Sequence, residues 1–99
     1  MRSIKKFVDA IDEELESAKE YAEKYVEHKA KNDMQTATRY KEMANDELKH
    51  ANYIHEWAVK EIQDLSKVYT APVEMQEVWE KSHKVYVETV AWIKQMLNM

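Results

Sequence analysis

The chain has 99 residues, 44% of them hydrophobic and 34% charged, and its formal net charge is −4. This length allows one domain with a modest core, and the acidic balance argues against nucleic acid as a partner. Cysteine and glycine are both absent, which excludes disulfides, thiolate metal sites and glycine-rich phosphate-binding loops. No apolar run reaches the roughly 18 residues that a membrane span needs, so the sequence predicts a cytoplasmic protein without a membrane partner.

Two breaks divide the chain into three predicted helices within a single domain of residues 1 to 99. The first break is Lys31-Asn32-Asp33, where Asn32 or Asp33 can cap the start of the second helix. The second spans residues 69 to 72, where Pro72 is tolerated in a first helical turn and disfavours helix in the residue before it. Because the connections are short, consecutive helices should be antiparallel. The predicted helices cover about residues 4 to 31, 34 to 67 and 72 to 97.

The first predicted helix has an apolar stripe with steps of three and four residues, which is typical of a helical bundle. The stripe contains Ile4, Val8, Ile11, Leu15, Ala18, Ala22 and Tyr25. At about 100° per residue, Glu14 is the only acidic residue of this helix within about 60° of the stripe. We therefore expect Glu14 to face the core and the other acidic residues to point further outward.

The second predicted helix has polar residues in the middle of its stripe. The stripe contains Tyr40, Met43, Glu47, His50, Ile54 and Trp57, with Ala44, Ala51, Ala58, Ile62 and Leu65 beside it. Glu47 and His50 both lie within about 60° of its centre, so they should face inward together. Burying them costs several kcal/mol unless they are compensated. A metal ion bound by both would compensate them, and a buried Glu–His hydrogen bond is the alternative.

The third predicted helix contains a second Glu-x-x-His string, formed by Glu80 and His83. Glu80 lies more than about 100° from the stripe of its helix, and His83 lies at the edge of that stripe. We therefore expect a solvated Glu80 and a histidine packed at the rim, a role also expected of His28 and His55. The stripe itself contains Met75, Trp79, Ser82, Tyr86, Thr89, Ile93 and Met96.

The three inward polar residues should lie at one level of the hairpin. If the chain turns at residue 32 or 33, residue n of the first helix faces residue 65 − n of the second, which places Glu14 opposite Ala51. Glu14, Glu47 and His50 are then half of the ligand set of a di-iron carboxylate bundle. A second copy related by a two-fold axis would supply the other half, so we expect a homodimer or a larger homo-oligomer with two iron ions per dimer.

The residues around this level resemble a known family. Glu13-Glu14-Leu15-Glu16, Asp46-Glu47-Leu48-Lys49-His50-Ala51 and Glu56-Trp57 are similar to segments of the encapsulated ferritins and other single-hairpin members of the ferritin-like superfamily. The resemblance covers roughly residues 10 to 65. It implies an all-α hairpin that forms a ferritin-like four-helix bundle on dimerisation, with Glu14, Glu47 and His50 as iron ligands of a ferroxidase centre. Encapsulated members end in a tail that docks to the encapsulin shell, and since this chain ends at Met99, directly after the third helix, a shell partner is unsupported.

These features predict a di-iron protein that binds Fe(II) and oxidises it with dioxygen or peroxide, which would make it a ferroxidase. The carboxylate and imidazole ligands also suit Mn or Zn. Two alternatives remain open: a rubrerythrin-like protein that consumes peroxide, and a metal-free helical interaction module in which Glu47 and His50 only pair with each other.

Overall fold

The computed structural model describes residues 2 to 68 and 70 to 99, with side chains from Ile4 onward. Helix α1 spans Arg2–Ala30, α2 spans Met34–Ser66 and α3 spans Val73–Leu97. The described residues contain no strand, which confirms the all-α prediction. The helix ends lie within two residues of the predicted ones, although Tyr69 of the predicted second break lies outside the described residues.

The turn between α1 and α2 is tight because each of its residues satisfies a free helix end. Asn32 has a φ of 60°, a left-handed conformation that asparagine tolerates better than most residues. The N–H of Asp33 donates to the carbonyl of His28 at 2.9 Å, which closes α1 with a Schellman motif. The Asp33 carboxylate then accepts from the N–H of Thr36 at 3.3 Å and caps α2. Three residues therefore suffice to reverse the chain and fix the register of the hairpin.

Helices α1 and α2 pack along a column of alanines on α2. Ala37, Ala44, Ala51 and Ala58 follow one another at seven-residue spacing, and each is fully buried. The α1 side of the interface is the predicted stripe, which is confirmed: six of its residues are buried and Val8 is half-buried. Because an alanine side chain is a single methyl group, it lets the two helix backbones approach closely.

The predicted position of the α2 stripe was partly wrong. Met43, His50 and Trp57 were expected on the buried face, but all three are exposed, Trp57 by 62% of its surface. The buried face is instead centred on the alanine column, because α1 packs most closely where the α2 side chains are smallest. The larger residues of the predicted stripe therefore lie at the edge of the hairpin and on its open side.

Helix α3 lies along α1 and joins the same core through its last two turns, where Ile93, Met96 and Leu97 are buried. It contacts α2 through side chains: the Tyr86 hydroxyl donates to Asn52 Oδ1 at 3.5 Å. The molecule is elongated, with extents of 55 × 18 × 17 Å. In the part of the chain that the structure describes, no helix has the length and apolar character that a membrane span requires.

Candidate metal centre

The middle of the hairpin brings together Glu14 of α1 with Glu47 and His50 of α2. His50 Nδ1 lies 3.5 Å from Glu14 Oε2 and 3.8 Å from Glu47 Oε1. One ligand atom from each residue lies within 4.8 Å of the other two. Glu47 and His50 are adjacent because residues three apart on a helix share a face, and the short turn brings Glu14 to their level. The structure thus places the three sequence-predicted ligands in one cluster.

The cluster is only partly buried, and its members differ in accessibility. The side chains of Glu47 and Glu14 are 23% and 28% exposed, whereas that of His50 is 54% exposed. The carboxylates therefore lie between the helices, and the imidazole lies at the mouth of the site. An ion arriving from the open side of the hairpin would meet His50 first.

One oxygen of Glu14 is buried without a hydrogen-bond partner. Glu14 Oε2 has almost no solvent-accessible surface, and no donor in the described part of the chain reaches it with hydrogen-bond geometry. The 3.5 Å approach of His50 Nδ1 is an ion-pair distance, not a hydrogen bond. An unsatisfied buried acceptor costs about 1 to 3 kcal/mol, more if it is charged. A cation bound at this oxygen would remove that cost.

The two carboxyl groups of the cluster interact strongly. When Glu47 is protonated, it can share that proton with Glu14 in a hydrogen bond, which raises the pKa of Glu47 above its usual range; burial and the charge of Glu14 raise this pKa further, while His50 opposes the rise. Two carboxylates this close favour sharing one proton. A divalent cation would take the place of that proton and stabilise both groups in their charged forms.

The remaining acidic residues of α1 do not join the cluster. All are exposed, which agrees with the expectation that Glu14 alone faces the hairpin interior; they are Asp9, Asp12, Glu13, Glu16, Glu20, Glu23 and Glu27. Glu61 of α2 is half-buried, but it lies 14 residues, about 21 Å, from Glu47 and cannot reach the same ion.

The second Glu-x-x-His string has different surroundings. Glu80 is exposed, as predicted, and His83 is exposed at the edge of α3. Sequence reasoning missed the partner of His83, which is His55 of α2: His55 Nε2 and His83 Nδ1 lie 2.9 Å apart. Finding that pair requires the register between α2 and α3, which the helical phase of each helix does not define. His28, the other histidine expected at a rim, lies 3.3 Å from Asp33 and stacks on Tyr40.

The hairpin face that carries the candidate centre points away from α3. Asn52, which contacts α3, is two residues from His50 and therefore about 200° around the helix. Three exposed large side chains lie near His50 on its own helix: Met43, Tyr53 and Trp57. The candidate centre thus opens onto an uncovered face with apolar residues.

We compared the chain with protein families, curated proteins and solved structures, and none of them matches it.

Proposed function

We propose that this chain is a ferritin-like di-iron carboxylate protein that binds Fe(II) and oxidises it at a site shared between two copies. The observation that carries the proposal is the buried, unpartnered Glu14 Oε2 beside Glu47 and His50. Carboxylate and imidazole donors suit iron, and also manganese and zinc. The raised pKa of Glu47 supports the proposal as well, because the pair already attracts a positive charge in the form of a proton.

The ligand set supports a shared site because three residues are half of a di-iron centre. Bundles of this class use a Glu from each of two helices and a Glu-x-x-His from each of the other two. Helix α3 contributes no ligand: among the described residues, the cluster contains only Glu14, Glu47 and His50. A second hairpin facing the first would bring an identical set and complete a four-helix bundle.

The pattern of large side chains on the open face also supports a two-fold partner. Met43 and Trp57 lie seven residues before and after His50, and all three are exposed. If a two-fold axis passes through the level of His50, perpendicular to the helices, the two α2 helices run antiparallel. Trp57 of one copy then packs on the partner's Met43, and the reverse. Sulfur–aromatic contacts of this kind are favourable.

Helix α1 has the same symmetry. Phe7 and Tyr21 lie seven residues before and after Glu14, and both are half-buried at the edge of the hairpin. Under the same axis Phe7 meets the partner's Tyr21. Aromatic and methionine side chains would then close the centre above and below, while the carboxylates and imidazoles meet at the axis. This arrangement excludes water from the centre and leaves α3 on the outside.

The chemistry assigned to the site is electron transfer from Fe(II) as substrate. Each Fe(II) gives up one electron, so two ions reduce one peroxide to two waters with uptake of two protons. Four electrons and four protons are needed for one dioxygen. The role of Glu14, Glu47 and His50 is to hold two substrate ions close together and to neutralise their charge. The peroxide route corresponds to rubrerythrin-like peroxide consumption.

A metal-free role is the competing function, and one observation favours it. His50 lies within 4 Å of both carboxylates, so a protonated imidazole would partly compensate them without a metal. In that case the cluster is a structural ion pair in an interaction module. Such a pair predicts no gain in stability when Fe(II) is added.

Metal-free protein, titrated anaerobically with Fe(II), distinguishes the two functions. We expect one iron per chain at saturation, an increase in melting temperature because the ion binds only the folded state, and oxidation on admission of dioxygen or peroxide. An unchanged melting temperature with Fe(II), together with iron oxidation at the rate of buffer, would rule out the proposal. That result would leave the interaction module.

A further inference from the structure

A pair of imidazoles joins α2 to α3 at a place that the di-iron proposal does not use. His55 Nε2 lies 2.9 Å from His83 Nδ1, the ring centres are 5.0 Å apart, and the ring planes differ by 28°. With these distances the two nitrogens point almost directly at each other. One ring therefore donates an N–H to the lone pair of the other.

The spacing of the two rings is close to what a tetrahedral metal ion requires. With metal–nitrogen bonds of about 2.0 to 2.1 Å, tetrahedral geometry places two imidazole nitrogens about 3.3 Å apart and their ring centres about 5.2 Å apart. The observed ring centres would have to separate by only about 0.2 Å. Each ring would also have to turn by about 35°, so that its nitrogen points at the ion and not at the other nitrogen, and this pivot would convert the hydrogen bond into a two-nitrogen site.

Aromatic side chains hold His55 in this orientation. The Tyr86 ring is almost parallel to it, with 4.5 Å between ring centres and an angle of 7°. The Trp79 ring stacks on it at 5.5 Å. Packing of this kind restricts the rotamers of His55, and a pivot within the plane of its ring keeps the stacking on Tyr86.

A carboxylate is available one helical turn from the pair. Glu80 precedes His83 by three residues, and both line the same open depression on α3. The ligand atoms of the hairpin centre lie within 4.8 Å of one another. In the described part of the chain, no acidic group lies that close to both imidazoles. Glu80 is exposed, so it can change rotamer and turn toward the ion without disturbing the core.

We propose that His55, His83 and Glu80 bind one divalent transition-metal ion of the zinc type across the seam between α2 and α3. Two imidazoles and a carboxylate are a ligand set that zinc accepts, with water at the fourth position. The site is distinct from the hairpin centre, because His55 contacts α3 whereas the hairpin cluster faces away from it. A bound ion would tie α3 to α2.

The test uses full-length protein in which the hairpin centre is disabled by Glu14→Ala and His50→Ala. We expect this variant to bind one Zn²⁺ per chain by isothermal titration calorimetry, and Zn²⁺ to raise its melting temperature. Adding His83→Asn should weaken binding at least tenfold, because asparagine can still hydrogen-bond His55 but is a poor zinc ligand. Adding His28→Asn is the matched control and should leave binding unchanged.

Each outcome decides the proposal, and none depends on iron chemistry. Absence of Zn²⁺ binding in the Glu14→Ala/His50→Ala protein would overturn the site, as would equal binding with and without His83→Asn. Those results would leave the pair as a hydrogen bond only. Circular dichroism verifies that the variants remain helical. Glu80→Gln should weaken binding several-fold, and an unchanged affinity would remove Glu80 from the ligand set.

Discussion

The chain contains the same four-residue pattern twice, and the two copies have different surroundings. Glu47 and His50 face a carboxylate from the neighbouring helix, and the three residues cluster around one point. Glu80 is exposed, and His83 faces another imidazole. A Glu-x-x-His string therefore has little meaning without the helix that faces it. The first string supports a hard, carboxylate-rich ion site, and the second an imidazole-rich one.

The largest expected effect is on the rate of Fe(II) oxidation, which should depend on the first Glu-x-x-His string and not on the second. Replacing Glu14, Glu47 or His50 by Ala removes a ligand from each half of the shared centre, so we expect Fe(II) oxidation to slow by about a hundredfold. Changes to groups that only contact a metal ligand commonly lower metal affinity or activity by about ten- to a hundredfold, so loss of the ligand itself should reach the upper end of that range. Absorbance of the ferric product measures the rate.

Glu13→Ala and Glu80→Ala are the matched controls for this comparison. Glu13 lies on α1 and Glu80 on α3, and both are exposed. Both variants should oxidise iron at the wild-type rate. Loss of activity in Glu80→Ala with full activity in His50→Ala would assign iron chemistry to the second string.

The next effect is on dimerisation, which should depend on the face of α2 that carries the first string and not on α3. Trp57→Asp puts a charge into the proposed interface, and a tryptophan buried there is worth at least about 2 kcal/mol, or about 30-fold in the dimer dissociation constant. Trp92 of α3 is also exposed, so Trp92→Asp should leave dimerisation unchanged. Analytical ultracentrifugation over a concentration series measures both constants.

Because the chain has no cysteine, disulfide trapping can test the register of that interface. A Met43→Cys/Trp57→Cys double variant should form a cross-linked dimer in chelator, because the antiparallel arrangement brings these positions together. Val78→Cys/Trp92→Cys has the same 14-residue spacing on α3 and should not cross-link. Since chelator removes metal, the result is independent of whether iron binds. Cross-linking of the α3 variant without cross-linking of the α2 variant would mean that the dimer forms through α3, which contradicts the proposed interface.

A smaller effect comes from the spacing of the helices in the hairpin. Ala51 is fully buried at the level of the centre, and Ala51→Leu adds volume that the interface cannot hold, at a cost of about 1 to 3 kcal/mol. Chemical denaturation measures this loss. Metal binding at the hairpin should weaken as well, because Glu14 moves away from Glu47, while Zn²⁺ binding at His55 and His83 should persist. Ala91→Leu at an exposed position of α3 is the control.

The smallest expected effect is a pH dependence with opposite signs in the two regions of metal-free protein. The pKa of Glu47 is raised, so its contribution to stability is present at low pH and is lost as pH rises from about 4.5 through the raised value. The pKa of His55 is lowered, so its contribution is present above about 6.5 and is lost as pH falls below that value. Glu47→Gln should remove the first pH dependence and His55→Gln the second, and melting temperatures across this pH range measure both. Parallel pH profiles for both variants would contradict this assignment.

The sequence allowed accurate prediction of the helices and of the inward acidic residue of α1. Both follow from local information: Asn32 and Asp33 end one helix and begin the next, and helical phase separates Glu14 from its acidic neighbours. The exposure of His50 was not predictable in the same way. The phase of α2 is ambiguous, because its alanines and its larger apolar residues form adjacent columns, and the preferred column depends on how closely α1 approaches.

The pair formed by His55 and His83 was harder still to predict. Its existence depends on how far α3 is shifted along α2, and that shift is set by tertiary packing of Ile93, Met96 and Leu97 against the hairpin. The Glu-x-x-His pattern pairs His83 with Glu80 in the sequence. In the structure, His83 instead pairs with His55.

The alanine column of α2 acts as a spacer for the candidate centre. A glutamate carboxylate reaches only a few ångströms from its own backbone, so residues on two helices can hold one ion only if the helix axes are close, nearer the lower end of the usual 8 to 10 Å. Ala44 and Ala51 set that separation on either side of Glu47. The smallest side chains of the hairpin, which carry no chemistry themselves, therefore determine how closely Glu14 can approach Glu47 and His50.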